Sequence, residues 1–279
     1  MDSFFWLGPR LSLRMLVEQA AAVWRQTEAL ADVANQMAAL APDLNLFTAL
    51  AVPWIGVPTL MSGLVTPPET PLIPAVIELQ SAGEVGLWFI LLTMVGLFLS
   101  VLFLLLVARV VGLREDGGKR PFFLRLGDAW LRLFLMGIAL AVLIVLIYVP
   151  VGMVSVVASL ISPLLGLVTL LVVPVIVLWF VIAVYFMPQG VLLDGQTLRQ
   201  AMRNSLTLLQ QESSTSLSMI LAVMLLGALA RQVLVILDDG SWVTTVNIVA
   251  HAFIRTALTM ATFIFYRDRV AVTQVRPGS

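Results

Sequence analysis

A polar stripe in the last apolar stretch of the chain contains the residues best able to do chemistry. Asn247, His251, Arg255 and Thr259 recur at intervals of four, so they fall on one face of a helix. An arginine inside a membrane span, with a histidine one turn away, is typical of an anion pathway or a proton relay. The sequence therefore predicts a substrate- or anion-binding face at these four residues.

Catalysis and metal binding find less support than anion binding. His251 is the only histidine, the chain has no cysteine, and the nearest acids to the stripe are Glu84, Asp238 and Asp239, at the ends of spans. One imidazole with no nearby carboxylate is a poor proton carrier, and it cannot hold zinc by itself. We therefore expect no catalytic residue, no metal and no cofactor, and hence a protein that is not an enzyme.

The composition predicts that the stripe lies in a membrane protein. Hydrophobic residues make up 60% of the 279 residues and charged residues 11%, whereas soluble domains carry about 25% charged residues. Lipid must cover part of so much apolar surface. The net charge of zero indicates no nucleic-acid partner. The expected partners are the lipid bilayer, anionic lipid, and other proteins or further copies of the chain.

Six stretches are apolar and long enough to cross about 30 Å of hydrocarbon, which takes about 20 residues. They are residues 44–64, 86–109, 129–157, 164–187, 214–236 and 243–266. The turn between the third and fourth is predicted near residues 159–163 or, alternatively, at Pro150. Residues 1–279 are expected to form a single all-α, polytopic membrane helix bundle with amphipathic interfacial helices.

Residues 1–43 are predicted to form a cytoplasmic or interfacial segment. One amphipathic helix is expected between residues 9 and 42, with Leu13 and Trp24 near its apolar face and Pro42 at its end. Such a helix lies on the membrane surface or packs under the bundle.

Lysine and arginine positions predict the orientation, because these residues collect on the cytoplasmic side. With six spans and the N-terminus inside, 14 of the 16 basic residues fall on that side. The outer loops carry acids such as Glu69 and Glu78. Both termini are therefore expected in the cytoplasm, and the basic loop at residues 114–125 is expected to meet anionic lipid headgroups.

A short amphipathic helix is predicted after the fourth span. Pro188 is expected to end the span, and Asp194 is placed to cap the new helix. Leu198, Ala201 and Ser205 then fall on one face of that helix.

This segment and the ending "FYRDR" at residues 265–269 resemble a group of prokaryotic six-helix membrane proteins. The group includes the membrane domain attached to some glycerophosphodiester phosphodiesterases. The resemblance covers mainly residues 186–269 and implies a membrane fold in the prokaryotic cytoplasmic (inner) membrane. It implies no catalytic residue, and phosphodiesterase chemistry would need several histidines, whereas this chain has one.

Arg255 needs a compensating group, because an arginine at mid-bilayer costs about 2.5 to 3.5 kcal/mol. A clamp of backbone carbonyls, a water-filled cavity or a bound anion would each provide it. Arg231, near the outer end of the fifth span, is interpreted as a structural partner of Asp238 or Asp239.

Two functions are compatible with these features. The first is a non-enzymatic membrane scaffold or accessory protein that engages lipid or a partner complex. The alternative is a transporter or permease for an anionic or lipid-like substrate, with Arg255 in the pathway. The second is disfavoured because no inverted repeat is detected and no acid for ion coupling lies inside a predicted span.

Overall fold

The computed structural model describes residues 1–51, 57, 59–61, 70–112, 121–236 and 242–275, and these are mostly helical. The helices are α1 (Asp2–Leu7), α2 (Arg14–Trp24), α3 (Ala31–Leu40), α4 (Ala82–Val111), α5 (Phe122–Ile161), α6 (Pro163–Val184), α7 (Met187–Asp194), α8 (Leu198–Gln211), α9 (Ser213–Ile236) and α10 (Val243–Val275). Two short strands, β1 (Arg10–Ser12) and β2 (Val76–Glu78), pair in parallel. The described residues thus confirm the all-α class apart from this one strand pair.

Five candidate membrane spans lie in the described residues: α4, α5, α6 with α7, α9 and α10. The predicted first span, residues 44–64, is not among them. Its described part contains a 3-10 helix at Leu46–Leu50 that ends at Ala51. Much of the remainder, including Pro53 and Pro58, lies outside the described residues. The count of six spans therefore stays a prediction.

The segment before α4 folds differently from the single amphipathic helix predicted between residues 9 and 42. Residues 10–12 form β1, whose backbone bonds to β2 instead of entering a helix. Extended backbone at Thr27 then separates α2 from α3. Trp24, predicted on the apolar face, is 38% exposed, whereas the small Ala21 and Ala34 are buried. The prediction of one helix is wrong, and two short helices replace it.

A tight hairpin joins α5 to α6. Ser162 has extended backbone and makes the turn, within residues 159–163, while Pro150 lies inside α5. The alternative turn at Pro150 is wrong, because membrane helices tolerate proline when the freed carbonyl finds other partners. Ser155 Oγ donates to the carbonyl oxygen of Gly166 at 2.7 Å, so the two helices approach closely near the turn.

The 40 residues of α5 make it about 60 Å long, twice the hydrocarbon thickness of about 30 Å. Its first part is amphipathic and buries Leu126, Ala129, Leu133 and Met136. Arg132 Nη1 donates to the carbonyl oxygens of Gly195 (2.6 Å) and Gln196 (2.7 Å). The start of α5 therefore stabilises the turn that follows α7.

The segment between α6 and α9 contains two short helices. Pro188 lies in the first turn of α7, where its missing N–H costs nothing. Asp194 is the last residue of α7, and Gly195 follows it with a φ of 63°. Thr197 caps α8 in a capping box with Gln200. The predicted cap at Asp194 is wrong, because left-handed Gly195 ends α7 and moves the start of α8 to Thr197.

The buried face of α8 contains the predicted Ala201 and Ser205. Ser205 Oγ donates to the carbonyl oxygen of Ala183 at 2.7 Å and accepts from the backbone N–H of Phe186 at 3.4 Å. One hydroxyl thus satisfies backbone groups at the end of α6.

The ending at residues 265–269 also has structural partners. Arg267 Nη1 donates to the carbonyl oxygen of Val111 at 2.8 Å, at the C-terminus of α4, where carbonyls lack helical partners. Arg269 forms an ion pair with Glu212 at 3.2 Å. Arg267 and Arg269, two charged residues of the ending that carries the resemblance, therefore connect α10 to the C-terminal ends of α4 and α8.

Two compact units are distinguished by their internal packing. Unit 1 comprises Met1–Phe103 and Leu225–Thr259, and unit 2 comprises Leu104–Met224 and Met260–Ser279. The core of unit 1 includes Trp6, Leu11, Leu60 and Ile248. The core of unit 2 includes Phe186, Leu208, Ile220 and Tyr266. All four predicted site residues lie in unit 1.

Candidate functional site

The polar stripe of α10 is turned toward protein. Asn247 is 5% exposed and His251 2% exposed, whereas Val249 and Phe253 on the opposite face are 63% and 76% exposed. Arg255 is half-buried. The stripe therefore faces the protein interior, as a polar face in a membrane span must.

A buried carboxylate lies beside the histidine. Asp2 is 5% exposed, and its Oδ2 lies 4.0 Å from Nδ1 of His251. Its Oδ1 accepts the backbone N–H groups of Leu60 at 2.8 Å and Met61 at 3.0 Å. The expectation that His251 has no nearby carboxylate is wrong, because α1 brings an acid from the other end of the chain.

Aromatic packing places α1 against α10. Phe5 and Trp6 of α1 are buried, and the Trp6 ring meets Trp242 edge-on with centroids 5.8 Å apart. Phe4 meets Phe47 in the same geometry at 5.0 Å. Such pairs contribute about 0.5 to 1.5 kcal/mol beyond burial, so a short helix is held firmly enough to position Asp2.

Arg255 lies against the backbone of α9. A Cβ atom placed on Gly227 would come within 2.1 Å of Nη1 of Arg255 and 3.3 Å of its Cζ. A side chain at position 227 would therefore displace the Arg255 guanidinium from this place. Among the described residues, neither Arg255 nor Arg231 has a carboxylate within ion-pair distance. The expected partners of Arg231, Asp238 and Asp239, lie outside the described residues.

The remaining predicted residues differ in what they offer a ligand. Thr259 Oγ1 donates to the carbonyl oxygen of Arg255, one turn earlier, at 2.8 Å. The Nδ2 of Asn247 and the Nδ1 of His251 are buried with no hydrogen-bond partner in the described part of the chain. Unpaired buried donors are rare, because each costs about 1 to 3 kcal/mol. Asn247 and Arg255 therefore remain candidates for ligand binding, while Thr259 bonds within its own helix.

No family model, curated protein or solved structure matches this chain. The resemblance over residues 186–269 therefore stays a prediction, and the functional argument rests on the geometry alone.

In the part of the chain that the structure describes, no three His, Cys, Asp or Glu side chains lie close enough together to bind a metal ion.

The pattern of the sequence missed Asp2 and Gly227, and it gave Arg231 only a structural role. Asp2 has no spacing relation to α10 and lies in a short helix with no functional motif. Gly227 and Arg231 do carry a signal, since residues four apart share a helix face and a glycine there allows close approach. The glycine at 227 would therefore have indicated that Arg255 of α10 could approach α9 on the face that carries Arg231.

Proposed function

We propose that this chain is a non-enzymatic scaffold or accessory protein of the prokaryotic cytoplasmic membrane. The observation that carries this proposal is the contact of Asp2 with His251, through which protein groups cover the polar face of α10 in unit 1. A transporter would need that face to meet water alternately from each side. Asn247 and His251 are instead almost fully covered by protein.

A transporter or permease for an anionic substrate is the second candidate. It is favoured by the half-buried Arg255, which lacks a carboxylate partner among the described residues. The two functions differ in whether water reaches the stripe, so accessibility separates them.

The number of spans decides the orientation of the N-terminal segment. The five spans of the described residues, taken alone, put this segment and the C-terminus on opposite sides of the membrane, whereas a sixth span at residues 44–64 would put both on the same side. With the C-terminus in the cytoplasm, 11 of the 16 basic residues lie on the cytoplasmic side. The remaining arginines outside spans are Arg10, Arg14 and Arg25. Their translocation is compatible with the rule, because segments longer than about 60 residues cross largely regardless of charge.

Single-cysteine labelling tests the accessibility of the stripe in a chain that has no cysteine of its own. Asn247→Cys in native membranes should react with a membrane-impermeant thiol reagent at least about tenfold more slowly than exposed sites, because labelling requires a packed region to open. The exposed controls are Ser81→Cys, just before α4, and Gln210→Cys, near the end of α8. Ser81→Cys should react only from outside and Gln210→Cys only from the cytoplasm.

Rapid labelling of Asn247→Cys from both sides would contradict the scaffold proposal and favour the transporter. Val249→Cys, on the exposed apolar face of α10 two positions away, is the matched control for lipid-facing sites. Labelling of Asn247→Cys after denaturation shows that the thiol itself is competent to react.

A further inference from the structure

Arg231 of α9 and the guanidinium of Arg255, which comes from α10, lie along one face of α9. Residues 227 and 231 are four positions apart, so Arg231 stands one turn beyond the glycine against which Arg255 lies. The face therefore concentrates two guanidinium groups in an apolar region.

The directions of the two helices bring the groups together. Side chains lean toward the N-terminus of their own helix. Successive spans run in opposite directions, so Arg255 leans toward the start of α10 while Arg231 leans back toward the middle of α9. Arg231 lies about 8 Å from the end of α9 at Ile236, at about 1.5 Å per residue. Arg231 thus lies within reach of the headgroup layer, and the Arg255 side chain leans toward the same side.

Nothing in the described residues neutralises this pair. Asp2, the carboxylate beside His251, is committed through Oδ1 to two backbone N–H groups and turns Oδ2 to His251. Two like charges in a medium of low dielectric repel each other, and an arginine in a span is costly even alone. An anion between the two groups would remove both costs.

The donors match a phosphate group. A guanidinium binds phosphate oxygens through two parallel N–H bonds, and two guanidinium groups suit a group with several oxygens. Both arginines are half-buried, so a ligand can reach them.

We propose that Arg231 and Arg255 bind the phosphate group of an anionic ligand, either a phospholipid headgroup or free phosphate. This inference rests on the membrane placement in the proposed function and adds a ligand class to it. Gly227 is a positioning residue, since its missing side chain lets the Arg255 guanidinium lie on α9.

Lipid retention by the full chain in nanodiscs is the test. Nanodiscs of phosphatidylcholine with or without phosphatidylglycerol would be compared by native mass spectrometry after mild delipidation. The wild type should retain phosphatidylglycerol. Arg231→Gln/Arg255→Gln should bind it about tenfold more weakly or worse, as expected when charge-assisted hydrogen bonds are removed. Arg199→Gln, which removes one exposed arginine from α8, should retain it like the wild type.

Inorganic phosphate distinguishes the two sources of the ligand. If millimolar phosphate raises the unfolding temperature of the wild type but not of the double variant, while no lipid is retained, the site binds free phosphate. Equal retention by a folded double variant and the wild type, with no response to phosphate in either, would overturn the inference.

Gly227→Ala keeps the test decisive if the double variant does not fold. It leaves every charge in place but displaces the Arg255 guanidinium, so binding should weaken by about threefold or more, or about 0.7 kcal/mol. Unchanged binding by Gly227→Ala would then overturn the inference. Labelling of Asn247→Cys is measured separately, so failure of the phosphate site and failure of the scaffold proposal give different results.

Discussion

Asp2→Ala should lower the free energy of unfolding by about 2 to 6 kcal/mol, because two buried backbone N–H groups lose their acceptor at about 1 to 3 kcal/mol each. The N–H groups are those of Leu60 and Met61, at 2.8 and 3.0 Å from Oδ1. Denaturant unfolding in detergent micelles, followed by tryptophan fluorescence, measures the change. Trp6, four residues away in α1, is 1% exposed and should report it.

Asp32→Ala is the control, since it removes an exposed acid from α3 in the same segment. It should stay within about 0.5 kcal/mol of the wild type, as surface substitutions do. Asp2→Asn retains an acceptor for both N–H groups and loses the negative charge beside His251. A loss smaller than that of Asp2→Ala is therefore expected. If Asp2→Ala behaved like Asp32→Ala, α1 would not be packed on α10, and the observation behind the scaffold proposal would be lost.

The sequence predicted the features that depend on residues close together in the chain, namely the polar face of α10 and the turn between α5 and α6. The four-residue interval of the α10 stripe is fixed by helix geometry, so its buried face could be foreseen. The turn near Ser162 was foreseen as one of two places, because a run of 61 uncharged residues at 133–193 cannot be one span. Pro150 was the other, since proline alone does not tell whether neighbours satisfy the freed carbonyl.

Long-range contacts explain what the sequence did not reveal. Residues 10–12 form a strand only because β2, far along the chain, supplies its hydrogen bonds. Asp2 contacts His251 for a similar reason, since aromatic packing of α1 decides where its carboxylate lies. The N-cap of α8 depends on local sequence, and both Asp194 and Thr197 have suitable side chains. Thr197 is the cap because α7 continues to Asp194 and left-handed Gly195 ends it.

Gly96→Ala should destabilise the chain by about 1 to 3 kcal/mol, the usual cost of overpacking. A Cβ atom at Gly96 would lie 2.1 Å from the backbone oxygen of Leu50 and 2.7 Å from its carbonyl carbon. Backbone atoms cannot rotate away as a side chain can, so the 3-10 helix would have to separate from α4. The same unfolding experiment measures the effect.

Gly86→Ala, in the same helix, is the matched control because a Cβ there meets nothing within 4 Å. It should leave stability unchanged or raise it by up to about 1 kcal/mol, since alanine favours helices over glycine. The two alanine variants should therefore differ by about 1 to 4 kcal/mol.

The comparison bears directly on the number of spans. Ser100, one turn after Gly96, accepts from the backbone N–H of Val57 at 3.1 Å, so two contacts hold part of residues 44–64 on α4. A penalty confined to Gly96→Ala would show that this segment packs on α4 through its backbone, as the structure has it. Equal stability of the two variants would mean that Leu50 does not lie on α4, and residues 44–64 would again be free to form a sixth span.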